Sequence, residues 1–251
     1  MIRRILTIAF ALSLVPFLAF GQNTVPQATG AIAGSGGGTN PAYVQGSTGF
    51  TASATNVSAT LSAVGAGHGL FVYCMAPSSA CAAPTATGES FSTYTGTSGC
   101  QDFGGYNVQC WLATSTVGGE TSLTCNTGGG TSAIFCIVIE FTRPQALATP
   151  KDAGGHNNTA GSTNSWSVST SAATTNANDF VIGCFGSVNI GNNTITVGSP
   201  FTQPAAASIS NSSGEAACGY LVASSTGTQT ATGSATSNMT NTNGVILAVK
   251  P

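Results

Sequence analysis

The sequence contains very little charge. Of its 251 residues only 5% are Asp, Glu, Lys or Arg, and just five of these are basic. Soluble domains usually carry roughly 25% charged residues. Five basic side chains cannot neutralise a row of phosphates, so the composition excludes most nucleic-acid binding. Disordered chains are usually more charged and less hydrophobic, so the 41% hydrophobic content predicts a folded domain.

Long apolar runs are also absent beyond the first 21 residues. The run from Ile5 to Phe20 follows two arginines and ends in small residues. It is shorter than the roughly 20 apolar positions that a membrane-spanning helix needs, and its layout is typical of a secretory signal peptide. We therefore predict that residues 1–21 are removed and that the protein is extracellular or at the cell surface, with the periplasm as the alternative. After removal no membrane association is expected.

The motifs of common catalytic and metal sites are missing. The sequence contains no G-x-S-x-G, H-E-x-x-H or C-x-x-C and no Gly-rich loop with a following Lys. Its two histidines, His68 and His156, lie beside glycines and are interpreted as solvated loop residues. No two carboxylates alternate along one predicted strand, as those of a sandwich glycosidase would. Glu140 is expected at a strand end, paired with Arg143. These absences predict no catalytic residue, no metal site and no cofactor.

Eight cysteines all follow the predicted signal peptide. An even number in an exported chain predicts four disulfides, although eight cysteines allow 105 pairings. Because most of them lie in apolar alternating runs, disulfides fit better than an exposed zinc site.

The remaining sequence has the pattern of short strands. Residues 22–41 have no periodicity and are interpreted as a flexible Gly/Ser leader. From position 42 to 251, strand-length runs rich in β-branched and aromatic residues alternate with Gly, Ser, Thr and Asn clusters. No window has a helical period with caps. The prediction is a single all-β domain, an antiparallel two-sheet β-sandwich.

The two halves of this domain are similar in sequence. LFVYC at 70–74 matches FVIGC at 180–184, WLATSTVGGET at 111–121 matches YLVASSTGTQT at 220–230, and IVIEF at 137–141 matches LAVKP at 247–251. These matches, at offsets of 109 or 110 residues, predict related units of four or five strands at about 42–142 and 150–251. Chance alignment of strand-turn-strand sequences is the alternative.

The repeat also suggests a disulfide pattern. Cys74 and Cys184 occupy matching positions, and Cys110 and Cys218 nearly do. A Gly-rich turn between Cys125 and Cys136 would let these two face each other across a hairpin. The predicted pairs are therefore Cys74–Cys110, Cys184–Cys218, Cys125–Cys136 and Cys81–Cys100.

Three segments resemble secreted bacterial β-sandwich proteins of jelly-roll or concanavalin-like architecture. They are GAGHGLFVYC at 65–74, CWLATSTVGGETSLTC at 110–125 and IFCIVIEF at 134–141. The resemblance implies a fold that hosts lectins, carbohydrate-binding modules, glycan-degrading enzymes and phage or cell-surface structural domains, so it does not choose among them.

Two segments are candidate binding surfaces. Between Cys81 and Cys110, aromatic rings and acceptors in a Gly/Ser/Thr background suit sugar stacking and hydroxyl recognition; the predicted ligand-binding residues are Tyr94, Asp102, Phe103 and Tyr106. The alternative is that these rings fold inward as a small core. Threonines also alternate from Thr226 to Thr232 and would form a polar strand face; such rows also order water in ice-binding proteins.

Together these patterns predict a secreted, disulfide-stapled, non-enzymatic surface protein that binds an extracellular glycan. One alternative is a self-assembling filament or coat subunit, whose nearly uncharged surface permits close lateral contact. The other is a glycan-active hydrolase whose carboxylates are brought together only by the fold. The expected partners are thus a glycan or further copies of the chain, with no nucleic acid and no membrane.

Overall fold

The predicted apolar and alternating runs form strands throughout the part of the chain that the computed structural model describes. The described residues are 40–93, 107–113, 117–143, 149–159, 161–188 and 193–251, so the predicted signal peptide lies outside them, as does nearly all of the leader. Within these ranges the fold is all-β, its only helical segment being the short 3-10 helix η1 (Ala205–Ala207). None of the described helices is long and apolar enough to cross a bilayer.

Sixteen strands lie within the described residues, eight in each half of the domain, so the predicted units of four or five strands are too small. These strands form four sheets, where two were predicted. The first half of the domain contains β1 (Tyr43–Ala54), β2 (Asn56–Thr60), β3 (Gly69–Ala76), β4 (Cys81–Thr85), β5 (Ser92–Thr93), β6 (Asn107–Ala113), β7 (Ser122–Thr127) and β8 (Ser132–Phe141). The second half contains β9 (Lys151–Thr159), β10 (Thr163–Ser169), β11 (Phe180–Val188), β12 (Ile195–Val197), β13 (Ser208–Asn211), β14 (Gly214–Val222), β15 (Thr230–Met239) and β16 (Thr242–Val249).

The strand order of the second half reproduces that of the first. The first half has a five-stranded sheet, β1-β8-β3-β6-β5, and a three-stranded sheet, β2-β7-β4. The second half has β9-β16-β11-β14-β13 and β10-β15-β12. Adding eight to each strand number of the first five-stranded sheet gives the second, and the small sheets correspond in the same way. All the paired strands are antiparallel, as the sequence predicted.

Strand β3 shows why its sequence is apolar without interruption. All eight of its residues are buried. Phe71, Tyr73 and Met75 join a core cluster that contains side chains from both five-stranded sheets. The alternate residues, including Val72 and Cys74, join a second cluster with the three-stranded sheet of the first half. Because successive side chains point to opposite faces, a strand buried on both faces needs apolar residues at every position.

The core shared by the two five-stranded sheets contains polar as well as aromatic contacts. Phe141 stacks on Phe180 with ring centroids 4.5 Å apart. The buried Tyr73 hydroxyl donates a hydrogen bond of 2.6 Å to the Asn243 side-chain oxygen. This bond satisfies a phenol that would otherwise be costly to bury. The described residues of the two halves belong to one compact unit.

Two glycines permit close approach between a large and a small sheet. A Cβ at Gly49 in β1 would lie 2.6 Å from the Ser58 carbonyl oxygen of β2. A Cβ at Gly155 in β9 would lie 2.1 Å from the Ser169 carbonyl oxygen of β10. Because both obstacles are backbone atoms, neither site accepts a side chain without moving a strand. In both halves, therefore, a glycine allows a strand of the five-stranded sheet to lie close to a strand of the three-stranded sheet.

The disulfides agree with the prediction in two cases and differ in two. Cys125 pairs with Cys136, and Cys184 pairs with Cys218. Cys74, however, pairs with Cys81, so the predicted bonds Cys74–Cys110 and Cys81–Cys100 are wrong. Cys110 is disulfide-bonded as well.

Side-chain direction explains the error. Cys74 and Cys110 lie on neighbouring strands of one sheet but on opposite faces of it. The Cys110 side chain belongs to the core shared by the two large sheets, whereas that of Cys74 faces the small sheet, where Cys81 also lies. Cys110 is opposite Tyr73 in the ladder, and a shift of one residue reverses the face. Sequence similarity at an offset of 110 residues did not resolve that single-residue difference.

Candidate functional site

A hydroxyl-lined cleft lies beside strands β4 and β7 in the first half. It consists of two adjoining cavities of about 420 and 430 Å³. Thr87 and Ser122 line both, so they form one continuous depression. Its lining consists of residues 85–88, residues 117–122 and Thr124. Five of these carry hydroxyls, and Glu120 is the only ionisable side chain among them.

The loops around the cleft are held by backbone hydrogen bonds. The Val64 amide donates to the Glu120 carbonyl, and the Gly119 amide donates back to the Val64 carbonyl at 2.8 Å. Gly118 has φ of +88° and a Cβ there would lie 2.7 Å from the Ala66 nitrogen. Only glycine combines this left-handed backbone with so close a neighbour. The GG pair of the sequence thus shapes the cleft next to Glu120.

Two carboxyl groups meet at the cleft. The Glu89 and Glu120 side chains are within hydrogen-bonding distance of each other, and the Val117 amide donates to Glu89 Oε1 at 2.7 Å. Burial raises the pKa of the Glu89 carboxyl, the Val117 amide partly offsets this, and the neighbouring Glu120 raises the pKa further. The Oε2 atom of each carboxyl is buried and accepts no hydrogen bond from another group of the described chain.

This pair lacks the geometry of a glycosidase. Catalytic carboxyls of retaining enzymes are about 5–5.5 Å apart, and those of inverting enzymes are about 6.5–9.5 Å apart. A sugar or a water molecule must fit between them. Carboxyls that are direct neighbours, as those of Glu89 and Glu120 are, lie too close together for either arrangement.

A second polar cluster surrounds Glu140, whose side chain is fully buried. Its oxygens accept hydrogen bonds from Gln45 Nε2 at 2.5 Å and from the Gly65 amide at 2.9 Å. His68 Nδ1 lies 2.5 Å from Oε1 and forms an ion pair with it when protonated. The predicted interpretation of His68 as a solvated loop residue is therefore wrong, and so is that of His156, which lies within strand β9 and has a buried Nδ1. The His68 side chain is about three-quarters buried. Glu140, near the end of β8, pairs with Leu70 at the start of β3, and His68 precedes Leu70 by only two residues, so it lies beside Glu140.

The second half buries two further carboxyls. Asp179 is fully buried, and burial together with the adjacent Asp152 raises its pKa to about 8. Asp152 accepts hydrogen bonds from the Thr175 amide and hydroxyl at 2.5 and 2.6 Å. Burial alone would raise the pKa of Asp152, but these bonds and Asp179 lower it. Glu215, also fully buried, accepts the Asn193 amide, and its burial raises its pKa to about 7.

The predicted ligand-binding residues Tyr94, Asp102, Phe103 and Tyr106 lie outside the described residues. The threonine row is described: Thr226, Thr228, Thr230 and Thr232 are all exposed. Only Thr230 and Thr232 lie on β15, opposite Ser169 and Ser167 of β10. That small sheet therefore presents an exposed hydroxyl face.

Sequence reasoning missed the Glu89–Glu120 and His68–Glu140 pairs. The members of each pair are far apart in the chain, and no motif contains both. A signal existed for the second pair: His68 just precedes a strand and Glu140 nearly ends another, so an antiparallel pairing of those strands would have brought them together. Among the described residues, no three His, Cys, Asp or Glu side chains are grouped as a metal site.

The chain was compared with protein-family models, curated proteins and solved structures. No family model, curated protein or solved structure matches it.

Proposed function

We propose that this protein is a secreted, non-enzymatic binding protein whose cleft beside β4 and β7 recognises a neutral glycan. The observation that carries the proposal is the lining of that cleft. Thr85, Thr87, Ser122 and Thr124 line a concave surface on which Glu120 is the one ionisable residue among the described lining residues. Sugars offer many hydroxyls that both donate and accept hydrogen bonds, and such a surface complements them.

The proposed fold is a pair of jelly-roll-like sandwiches. In each half a five-stranded and a three-stranded sheet share a core cluster, and the order β1-β8-β3-β6 with β2-β7-β4 is the order expected for two interlocked Greek keys. The repetition of that order in the second half supports an origin by duplication. The disulfides support an oxidising, extracellular setting.

The test is a neutral-glycan array followed by titration calorimetry with the best ligand. The double variant Thr87→Val with Ser122→Ala removes the two hydroxyls shared by both cavities. We expect at least a tenfold loss of affinity, because a buried sugar hydroxyl left without its partner costs about 1–3 kcal/mol.

The matched control is Thr196→Val with Ser167→Ala. It removes two exposed hydroxyls from the three-stranded sheet β10-β15-β12 of the second half. This variant is expected to bind like the unmodified protein. Absence of any array ligand, or equal affinity of the cleft variant and the control, would contradict the proposal.

A second candidate function is self-assembly through β1. This strand is 12 residues long and, in the described structure, pairs in a sheet only with β8. Val44 and Phe50 on it are about 40% exposed, at 42% and 37%. A long edge strand with apolar side chains is a template for pairing with another chain. Size-exclusion chromatography over a range of concentrations distinguishes the two candidates: large assemblies without glycan binding favour the structural one.

A further inference from the structure

Two buried glutamate oxygens at the cleft have no donor. Glu120 is only 7% exposed and lines the part of the cleft around Gly118 and Gly119. Its Oε2, like that of Glu89, is buried without a hydrogen-bond partner in the described chain. A buried carboxylate oxygen is costly unless a donor or a cation satisfies it. Two such atoms side by side therefore point to a bound positive group.

The atoms around these carboxyls are oxygens. Thr87, Thr121 and Ser122 contribute hydroxyls to the lining of the same cavity. No imidazole or thiolate is among the lining residues. An oxygen-only set selects a hard cation, and calcium accepts six to eight oxygens in irregular geometry, whereas magnesium demands a near-octahedral set. The cavity also gives the ion a route from solvent and space for water ligands.

We propose that Glu89 and Glu120 bind a calcium ion at the cleft. The ion would satisfy both free Oε2 atoms. The site goes beyond glycan recognition, because the ion can bind whether or not a sugar does. A sugar in the cleft could additionally coordinate the ion through its hydroxyls.

The experiment is calorimetric titration of CaCl2 into the chelator-treated, purified chain without any glycan, together with thermal unfolding with and without CaCl2. Sodium chloride at matched ionic strength serves as the blank. We expect one saturable site and a calcium-dependent rise in the unfolding midpoint, because a ligand that binds only the native state stabilises it. The variant Glu120→Gln should lose at least tenfold in calcium affinity.

The matched control is Glu215→Gln. Glu215 is likewise a fully buried glutamate with a free Oε2, but its known hydrogen bond is to the Asn193 amide rather than to a second carboxyl. The Glu215→Gln variant should therefore bind calcium like the unmodified protein. Thermal unfolding of each variant without calcium shows that it has folded.

Two results would overturn the calcium site. One is no binding heat and no midpoint shift in the unmodified protein at about 10 mM CaCl2, roughly tenfold above the dissociation constant of the weakest extracellular calcium sites. The other is equal calcium affinity in Glu120→Gln. A calcium response without any glycan binding would support this site while rejecting the proposed function, so the two failures are distinguishable.

Discussion

The two halves of the domain share a strand order but differ in how they accommodate a buried glutamate. Glu140 in the first half accepts hydrogen bonds from Gln45 and the Gly65 backbone and contacts His68. Glu215 in the second half accepts one bond, from the Asn193 amide, and its other oxygen has no partner. Both side chains are completely inaccessible to solvent.

The difference shows that burial alone does not determine how a carboxyl is stabilised. The two glutamates are not at equivalent positions, because Glu140 lies on β8 and Glu215 on β14, whose counterpart in the first half is β6. Burial with a single donor favours the neutral form of Glu215 and raises its pKa. Neighbouring residues that differ between the two positions supply or withhold the donors.

The largest expected effect concerns the disulfides of the two halves. Cys184–Cys218 closes a loop of 34 residues, and Cys125–Cys136 closes one of 11. In the chain-entropy model, replacing both cysteines by Ala should cost about 4 kcal/mol of unfolding free energy for the longer loop and about 3 kcal/mol for the shorter one. Urea unfolding of the two double variants measures the difference. An equal or larger cost for the 11-residue loop would show that strain or packing outweighs chain entropy.

The next effect concerns the partner of Glu140. His68→Ala removes the basic group from a fully buried carboxylate, and we expect a loss of about 3 kcal/mol in unfolding free energy. His156→Ala in β9 is the control, because the ion pair found in the described chain involves His68. It should cost about 1 kcal/mol or less. Urea unfolding at pH 7 measures both. Equal costs would mean that the His68–Glu140 contact contributes nothing specific.

The smallest effect concerns Glu215. Its pKa of about 7 in the folded protein exceeds the ordinary 4.5, so the native state holds this proton more tightly than the unfolded state. The stability it contributes is present below about pH 4.5 and is lost as the pH rises to about 7. Glu215→Gln keeps an acceptor for Asn193 but cannot ionise.

We therefore expect Glu215→Gln to be more stable than the unmodified protein by about 2 kcal/mol at pH 8, with the gap closing toward pH 4. Chemical unfolding of both proteins across this pH range measures the difference. Asp179→Asn serves as a comparison. Because the pKa of Asp179 is about 8, the difference in stability between this variant and the unmodified protein should continue to increase above pH 7. Parallel curves for Glu215→Gln and the unmodified protein would contradict the assignment.

Much of the strand content followed from local sequence. LFVYC and FVIGC became the central strands β3 and β11 because their β-branched and aromatic residues fit a sheet buried on both faces. The Cys125–Cys136 pair was also predicted correctly. The hairpin expected for it does not form, however, because β7 and β8 lie in different sheets, which this disulfide joins. The Cys74–Cys81 pair was not predicted, because the choice depends on which sheet face each side chain occupies, and a one-residue shift in register reverses it.

The position of the candidate cleft could not be predicted from the sequence. A surface poor in charge and rich in hydroxyls favours recognition by polar, uncharged groups wherever it forms. Its position beside β4 and β7 depends on Gly118 and on the hydrogen bonds that join two separate loops. Local patterns contain no information about such long-range neighbours.

The sequence by itself determined the all-β class, the antiparallel strands and the scarcity of titratable groups, because composition and side-chain periodicity act locally. Only the tertiary structure decided that Glu89 meets Glu120, that His68 meets Glu140 and that Cys74 meets Cys81. Each of these contacts depends on strand register and loop docking, where hydrogen bonds and packing between distant segments select one arrangement among many that the same local pattern allows.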